Sequence, residues 1–259
     1  MVDDFITLDT TDLIWSSGII TMAIVLSNWQ KLELEGQFIL AAGRSLLQLL
    51  VVSSVLLVIF ELDNPIAVLG ILGIMLTIAA KAASNRITHQ KQRLFPLVLG
   101  ALLVSSLLTL SYALIFIIRP DVWYSPQYLI PLTGMILGNA MNSASLTGER
   151  LSSMIAQNRL EVETHLCLGA TPKQAIASYR KEAIRIGLIP TLNQMMVVGI
   201  VSLPGMFTGQ VLAGIDPLNA ASYQILILFM IVFSNLLTAI LVTEGVYRKF
   251  FNSQAQLLL

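Results

Sequence analysis

Cysteine is nearly absent. Cys167 is the sole one, so neither an intrachain disulfide nor a cysteine-based metal cluster can form. Charge is scarce too: Asp, Glu, Lys and Arg make up 12% of the residues, where soluble domains carry about 25%, which argues against a water-soluble core. The net charge is zero, so the overall balance favours neither a nucleic acid nor an acidic partner. No G-x-x-x-x-G-K-[ST] loop is present to cradle ATP phosphates, so any ATP drive has to come from another subunit. H-E-x-x-H and G-x-S-x-G are missing as well, which disfavours an intramembrane hydrolase. A retinal-binding seven-span protein needs a mid-span lysine, yet Lys249 lies beyond the end of the last apolar run. The two histidines, His89 and His165, sit in separate polar segments and read as solvated surface residues, not as metal ligands.

Apolar sequence fills the space these absences leave. Hydrophobic residues make up 56% of the chain and the mean hydropathy is +0.79. The runs approach the ~20 residues needed to cross a bilayer core of about 30 Å. Seven spans are the economical count, at 13–28, 38–60, 65–80, 94–118, 128–146, 186–213 and 221–242. The expected fold is therefore all-α, a single polytopic domain over 1–259. Thirteen of the fifteen Lys and Arg residues fall in segments that share one side of such a bundle: Lys31, the group from Lys81 to Arg93, six residues between Arg150 and Arg185, and the pair Arg248 and Lys249. All seven Asp and Glu61 fall on the other side. Positive charge stays inside, which places the N-terminus outside and the C-terminus in the cytosol. The acidic stretch from Met1 to Asp12 lacks the basic region of a cleavable signal, so the first apolar run is expected to be retained.

The polar segment at 148–185 reads as helix, sharp turn and helix on the cytosolic side. At 100° per residue Leu151, Ile155, Val162 and Leu166 form one apolar stripe. Gly169 supplies the helix-ending position. Thr171, Pro172 and Gln174 then give an N-cap, a first-turn proline and the second half of a capping box. Ile176, Tyr179, Ala183 and Ile186 share a face of the second helix, with Lys173, Arg180 and Lys181 toward the other. An interfacial helix pair on anionic lipid is the plainer reading, but a capped sharp turn is needless for lipid and suits a docking element.

Polar groups at membrane depth are costly and point to function. Snorkelling or helix pairing is the favoured account of Arg44, one turn before Gln48, with a place on a transport pathway as the alternative. Asn139, Asn142 and Ser143 form a polar strip on the fifth span, and Asn193 and Gln194 open the sixth; interhelical hydrogen bonding and a lined path explain them equally well. Leu203-Pro204-Gly205 breaks a helix and frees backbone carbonyls, as broken helices at transport sites do. Met195, Gly199, Ser202 and Met206 fall on one face if the helix continues to that break. Thioethers suit soft ions such as Cu(I), and adaptable packing accounts for them without a metal. Glu244 reads as interfacial.

Glu161-Val-Glu-Thr-His-Leu-Cys-Leu-Gly169-Ala-Thr-Pro172, followed by Ile189-Pro190, resembles the EAA loop of ABC-transporter permeases, with Val162 and Glu163 where that motif has two alanines. Gly138-Asn139, Asn142, Ser145-Leu146, the stretch from Leu188 to Asn193, the stretch from Val201 to Gly214, and Tyr223-Gln224 resemble the FetB (YbbM)-type iron-export permeases and their plant relatives linked to aluminium tolerance. The resemblance implies a permease, not itself an enzyme, in the bacterial inner membrane. It implies a homodimer with separate cytosolic ATPase subunits that hold ATP and Mg, this chain carrying no cofactor. It further implies ATPase coupling through Glu161, Glu163, Leu166, Leu168, Gly169, Ala170, Thr171 and Pro172. The substrate path is expected along Asn139, Asn142, Ser145, Asn193, Pro204, Gly205, Met206, Thr208 and Gln210. An importer permease remains an alternative, although the outer loops are short for docking a binding protein, as does a seven-span receptor without transport.

Overall fold

The computed structural model describes residues 9–62, 64–87, 94–252 and 256–257, and among them no β-strand forms. The chain divides into two compact units, Met1–Asp63 and Asn64–Leu259. His89, Lys91 and Arg93, with the acidic Asp3, Asp4 and Asp63, lie outside the described residues.

The first unit is a helical hairpin of α1 (Thr10–Trp29) and α2 (Glu35–Leu62). α1 closes with two crossed backbone bonds, from the Lys31 amide to the Asn28 carbonyl and from the Leu32 amide to the Ser27 carbonyl, both 3.0 Å. This closure needs a left-handed residue, and Lys31 fills the position at φ 53°. The Ser27 hydroxyl is 3.0 Å from a Glu35 carboxylate oxygen, tying the two helices at the turn. Arg44 is exposed on α2 and has no ion-pair partner among the described residues.

The second unit is a bundle of α3 (Pro65–Ile87), α4 (Phe95–Tyr112), α5 (Pro126–Gln157), α6 (Arg159–Cys167), α7 (Pro172–Ala175), α8 (Ala177–Val197), α9 (Gly205–Leu212) and α10 (Pro217–Phe250). α4 runs on through a π-helical turn, Ala113–Ile118, closed by the Arg119 amide bonding the Leu114 carbonyl. The larger apolar core joins Ala79, Ala80 and Ala83 of α3, Leu102 of α4, Ala140 and Ala144 of α5, Ala183 of α8 and Val242 of α10. So many alanines at the contacts let helix backbones approach closely, the usual basis of cohesion where lipid removes the hydrophobic drive between helices. A second cluster gathers Leu110, Ala113, Leu132, Ile136, Ile227, Met230 and Ile231 toward the opposite end.

Four helices are long and apolar enough to cross a membrane: Glu35–Glu61, Pro65–Ile87, Phe95–Ile118 and Pro217–Phe250; Ile14–Trp29 is a shorter apolar one. The other two expected spans look different. The one at 128–146 lies within α5, which continues unbroken into the polar segment as far as Gln157. The one at 186–213 is not a single helix: α8 stops at Val197, Val198 turns extended, Gly199 takes φ +83°, and α9 starts only after Pro204. The helix break thus begins six residues before the proline expected to cause it. It also dissolves the methionine face, because Met195 on α8 and Met206 on α9 no longer share a helix; Met206 packs against the second core cluster instead.

Candidate functional site

The polar segment folds as a capped turn at the end of two long helices. Asn158 interrupts the run from α5 into α6, and the stripe expected to be apolar is buried: Leu151, Ile155 and Val162 completely, Leu166 partly. α6 ends at Gly169, φ +91°, where the Gly169 amide bonds the Leu166 carbonyl and the Ala170 amide the His165 carbonyl, both at 3.0 Å. Thr171 then caps α7: its amide donates to Gln174 Oε1 at 2.9 Å and its hydroxyl accepts from the Gln174 amide at 3.4 Å. Leu160 and Leu168 are left outside, each 80% exposed, and Cys167 is exposed beside them. Glu161 and Glu163 stay on the α6 surface, Glu163 held by Arg159 at 2.7 Å and Glu161 3.9 Å from His165. Tyr179, on the buried face of α8, has a hydroxyl with no hydrogen-bond partner by distance and angle. That burial, reinforced by the nearby Glu161 carboxylate, pushes its phenol up to about 12, so it stays neutral.

The returning helix is fastened to α10. A terminal guanidinium nitrogen of Arg180 lies 3.3 Å from Glu244 Oε2 and its Nε donates to Thr243 Oγ1 at 3.2 Å, while Arg248 and the Tyr247 hydroxyl hold Glu244 Oε1 at 2.9 and 3.1 Å. Glu244 is thus a shared acceptor between two helices, not a lone interfacial carboxylate.

Two further polar features lie above this fastening. A cavity of ≈ 730 Å³ opens between α3, α5 and α8, lined by Arg86, Asn142, Ser145, Glu149, Ser152 and Ser153 among others. Deeper, α5, α8 and α10 are joined through buried hydrogen bonds: Asn235 Nδ2 donates to Thr191 Oγ1 at 2.7 Å and the Ser143 hydroxyl to the Asn235 carbonyl at 3.3 Å. α4 joins α10 where the Thr238 hydroxyl donates to Ser105 Oγ at 2.7 Å.

The description Uncharacterised protein family (UPF0014) matches residues 10–251. The chain belongs to the UPF0014 family. It is 62% identical to a UPF0014 membrane protein of Synechocystis sp. over 98% of both chains. It is 37% identical to the probable iron export permease protein FetB of Escherichia coli (strain K12), over 92% of this chain and 91% of that one. It is 34% identical to the protein ALUMINUM SENSITIVE 3 of Arabidopsis thaliana, over 92% and 86%. No solved structure matches. The iron-export and aluminium-related resemblance therefore holds at the level of the family, and the protein is a membrane protein with several apolar helices.

Within this UPF0014 fold the expected path residues are dispersed. Asn142 and Ser145 face the cavity, with Pro190 opposite. Asn139 spends its amide on the Met135 carbonyl one turn back, at 2.8 Å. Asn193 is exposed near the end of α8. Pro204 and Gly205 open α9, Thr208 bonds back to the Pro204 carbonyl at 2.9 Å, and Gln210 has a buried Oε1 without a partner. Sequence reasoning missed Arg86, Glu149, Ser152 and Ser153 on the cavity, and Asn235 and Thr191 in the buried network. Part of the signal was present: Asn142, Ser145, Glu149 and Ser152 recur at three- and four-residue steps, one polar face of α5. Asn235 and Thr191, 44 residues apart, meet only through tertiary packing.

Proposed function

We propose that this chain is the transmembrane permease subunit of an ATP-driven exporter, acting as a homodimer with separate cytosolic ATPase subunits. It moves iron or a metal-related solute outward across the bacterial inner membrane, with the N-terminus outside and the C-terminus in the cytosol. ATP and Mg belong to the partner, and this chain performs no chemistry of its own. The observation that carries the reading is the two bare leucines of α6 and its capped end, Leu160 in the first turn of the helix and Leu168 at the turn before α7, which stand outside an otherwise buried apolar stripe. Exposed leucines along a short helix that ends in a capped turn have the form of a helix face that fills an apolar groove on a partner. The name of the relative FetB supports the cargo, and the gathering of thirteen of the fifteen Lys and Arg residues in sequence segments that can share one side supports the orientation.

The test is co-purification and ATPase activity. Replacing Leu160 and Leu168 by Asp should cut ATPase association at least tenfold while the helices still insert, because unpaired charge in an apolar groove costs several kcal/mol. Substrate should stimulate ATP hydrolysis in the reconstituted wild-type complex and not in this variant. Undiminished association and transport in the variant would leave the turn as a lipid-surface element and sink the coupling role.

A further inference from the structure

The cavity between α3, α5 and α8 has the size of a small-molecule site, ≈ 730 Å³ against the roughly 300–1,000 Å³ usual for such sites. Its charged groups are unspent. Arg86 and Glu149 line the same space, yet among the described residues neither makes an ion pair or a hydrogen bond; the neighbouring Arg150 turns away to Glu182 at 3.2 Å. The Asn142 amide is equally unpaired. Three serines have their protons committed or their oxygens engaged: Ser145 donates to the Met141 carbonyl, Ser152 to the Gly148 carbonyl, and Ser153 accepts from Gln157. The serine oxygens keep lone pairs for a ligand. The cavity therefore offers one guanidinium fork, one carboxylate, one amide and several weak acceptors.

That inventory suits some cargoes and not others. A bare hard cation needs several oxygen ligands, usually more than one of them a carboxylate, and a lone Glu149 beside a positive Arg86 is a poor nest for it. No group of three His, Cys, Asp or Glu side chains assembles elsewhere among the described residues. A cation that arrives with its own oxygen ligands does not need protein carboxylates. Its outward-facing carboxylate matches the planar fork of Arg86, its other oxygens can accept from the Asn142 amide, a water on the metal can donate to Glu149, and its bulk fits the volume.

The geometry points to this cavity as the inner loading site for a metal hydroxycarboxylate complex, with Arg86 binding a free carboxylate of the chelator, the Asn142 amide donating to a chelator oxygen and Glu149 accepting from a water on the metal. This rests on the permease reading and specifies its cargo as a complex, not a naked ion.

The test measures retention of three probes by the purified protein with its ATPase: ferric citrate, citrate alone, and ferrous ion under reductant. Ferric citrate should bind, excess citrate should compete, and Arg86→Gln should weaken binding about tenfold, the scale of one charge-assisted bidentate contact. Arg86→Lys, which keeps the charge and loses the fork, should fall between and guards against a folding defect in the first variant. Failure to retain ferric citrate overturns the assignment. So does ferrous ion bound equally well by wild type and Arg86→Gln with no competition from citrate. ATPase co-purification is read on the same samples: its loss with chelate binding intact counts against the permease reading alone.

Discussion

At the scale of single residues, the packing of α8 on α5 depends on one hydrogen atom. A Cβ on Gly187 would collide with the Thr147 side chain and press on the Ser143 carbonyl, so α8 lies against α5 only because that position is glycine. Gly187→Ala should therefore destabilise the protein by about 1–3 kcal/mol, the range for overpacking a filled core, seen as a lower melting temperature in detergent. Adding Thr147→Ala should recover part of the loss, since the Thr147 hydroxyl is buried without a hydrogen-bond partner and its removal breaks no bond. Gly18→Ala, which meets nothing within 4 Å, is the neutral control. Local chemistry of this kind was partly readable beforehand. Gly169, Thr171, Pro172 and Gln174 announce their turn because every bond in it joins residues at most five apart. Gly187 announces nothing, because its reason lies on another helix forty residues away.

At the scale of elements, Arg180 and Glu244, whose side chains are 20% and 27% exposed, tie the helix that follows the capped turn to α10. Either Arg180→Gln or Glu244→Gln leaves a half-buried charge with fewer partners, a loss of about 1–2 kcal/mol. The expected signature is uncoupling: ATP hydrolysis by the complex continues while transport per ATP falls. The swap of Arg180→Glu with Glu244→Arg should restore part of the ratio if the contact transmits motion, and none of it if the residues merely stabilise the fold. Elements were legible where one pattern dominated. The buried stripe from Leu151 to Val162 appeared at helical period, and it runs from the end of α5 across Asn158 into α6. The end of α8 was not legible, since an apolar run looks the same whether it goes straight or turns back. Ile200 and Val201 are apolar and 87% and 79% exposed, so hydropathy carries no mark of the bend that holds them.

At the scale of the whole molecule, the all-helical membrane class was plain from composition, because long apolar runs have few alternatives where backbone groups must be satisfied without water. The proposed orientation has a native probe. Cys167 is exposed at the end of α6 and is the one cysteine in the sequence, so an impermeant maleimide should leave intact cells unlabelled and modify the protein once the membrane is opened. In a Cys167→Ser background, Asp121→Cys should react in intact cells. Labelling in the reverse order would invert the topology. The lengths of α5 and α10 carry a last consequence. With 32 and 34 residues at 1.5 Å each they reach about 48 and 51 Å, well past a hydrocarbon layer of roughly 30 Å. In the proposed orientation the surplus would act as a pedestal that lifts the turn at 168–171 clear of the headgroups. A soluble subunit seated there would meet protein before it met lipid, so its affinity should change little when the anionic lipid content of the membrane is varied.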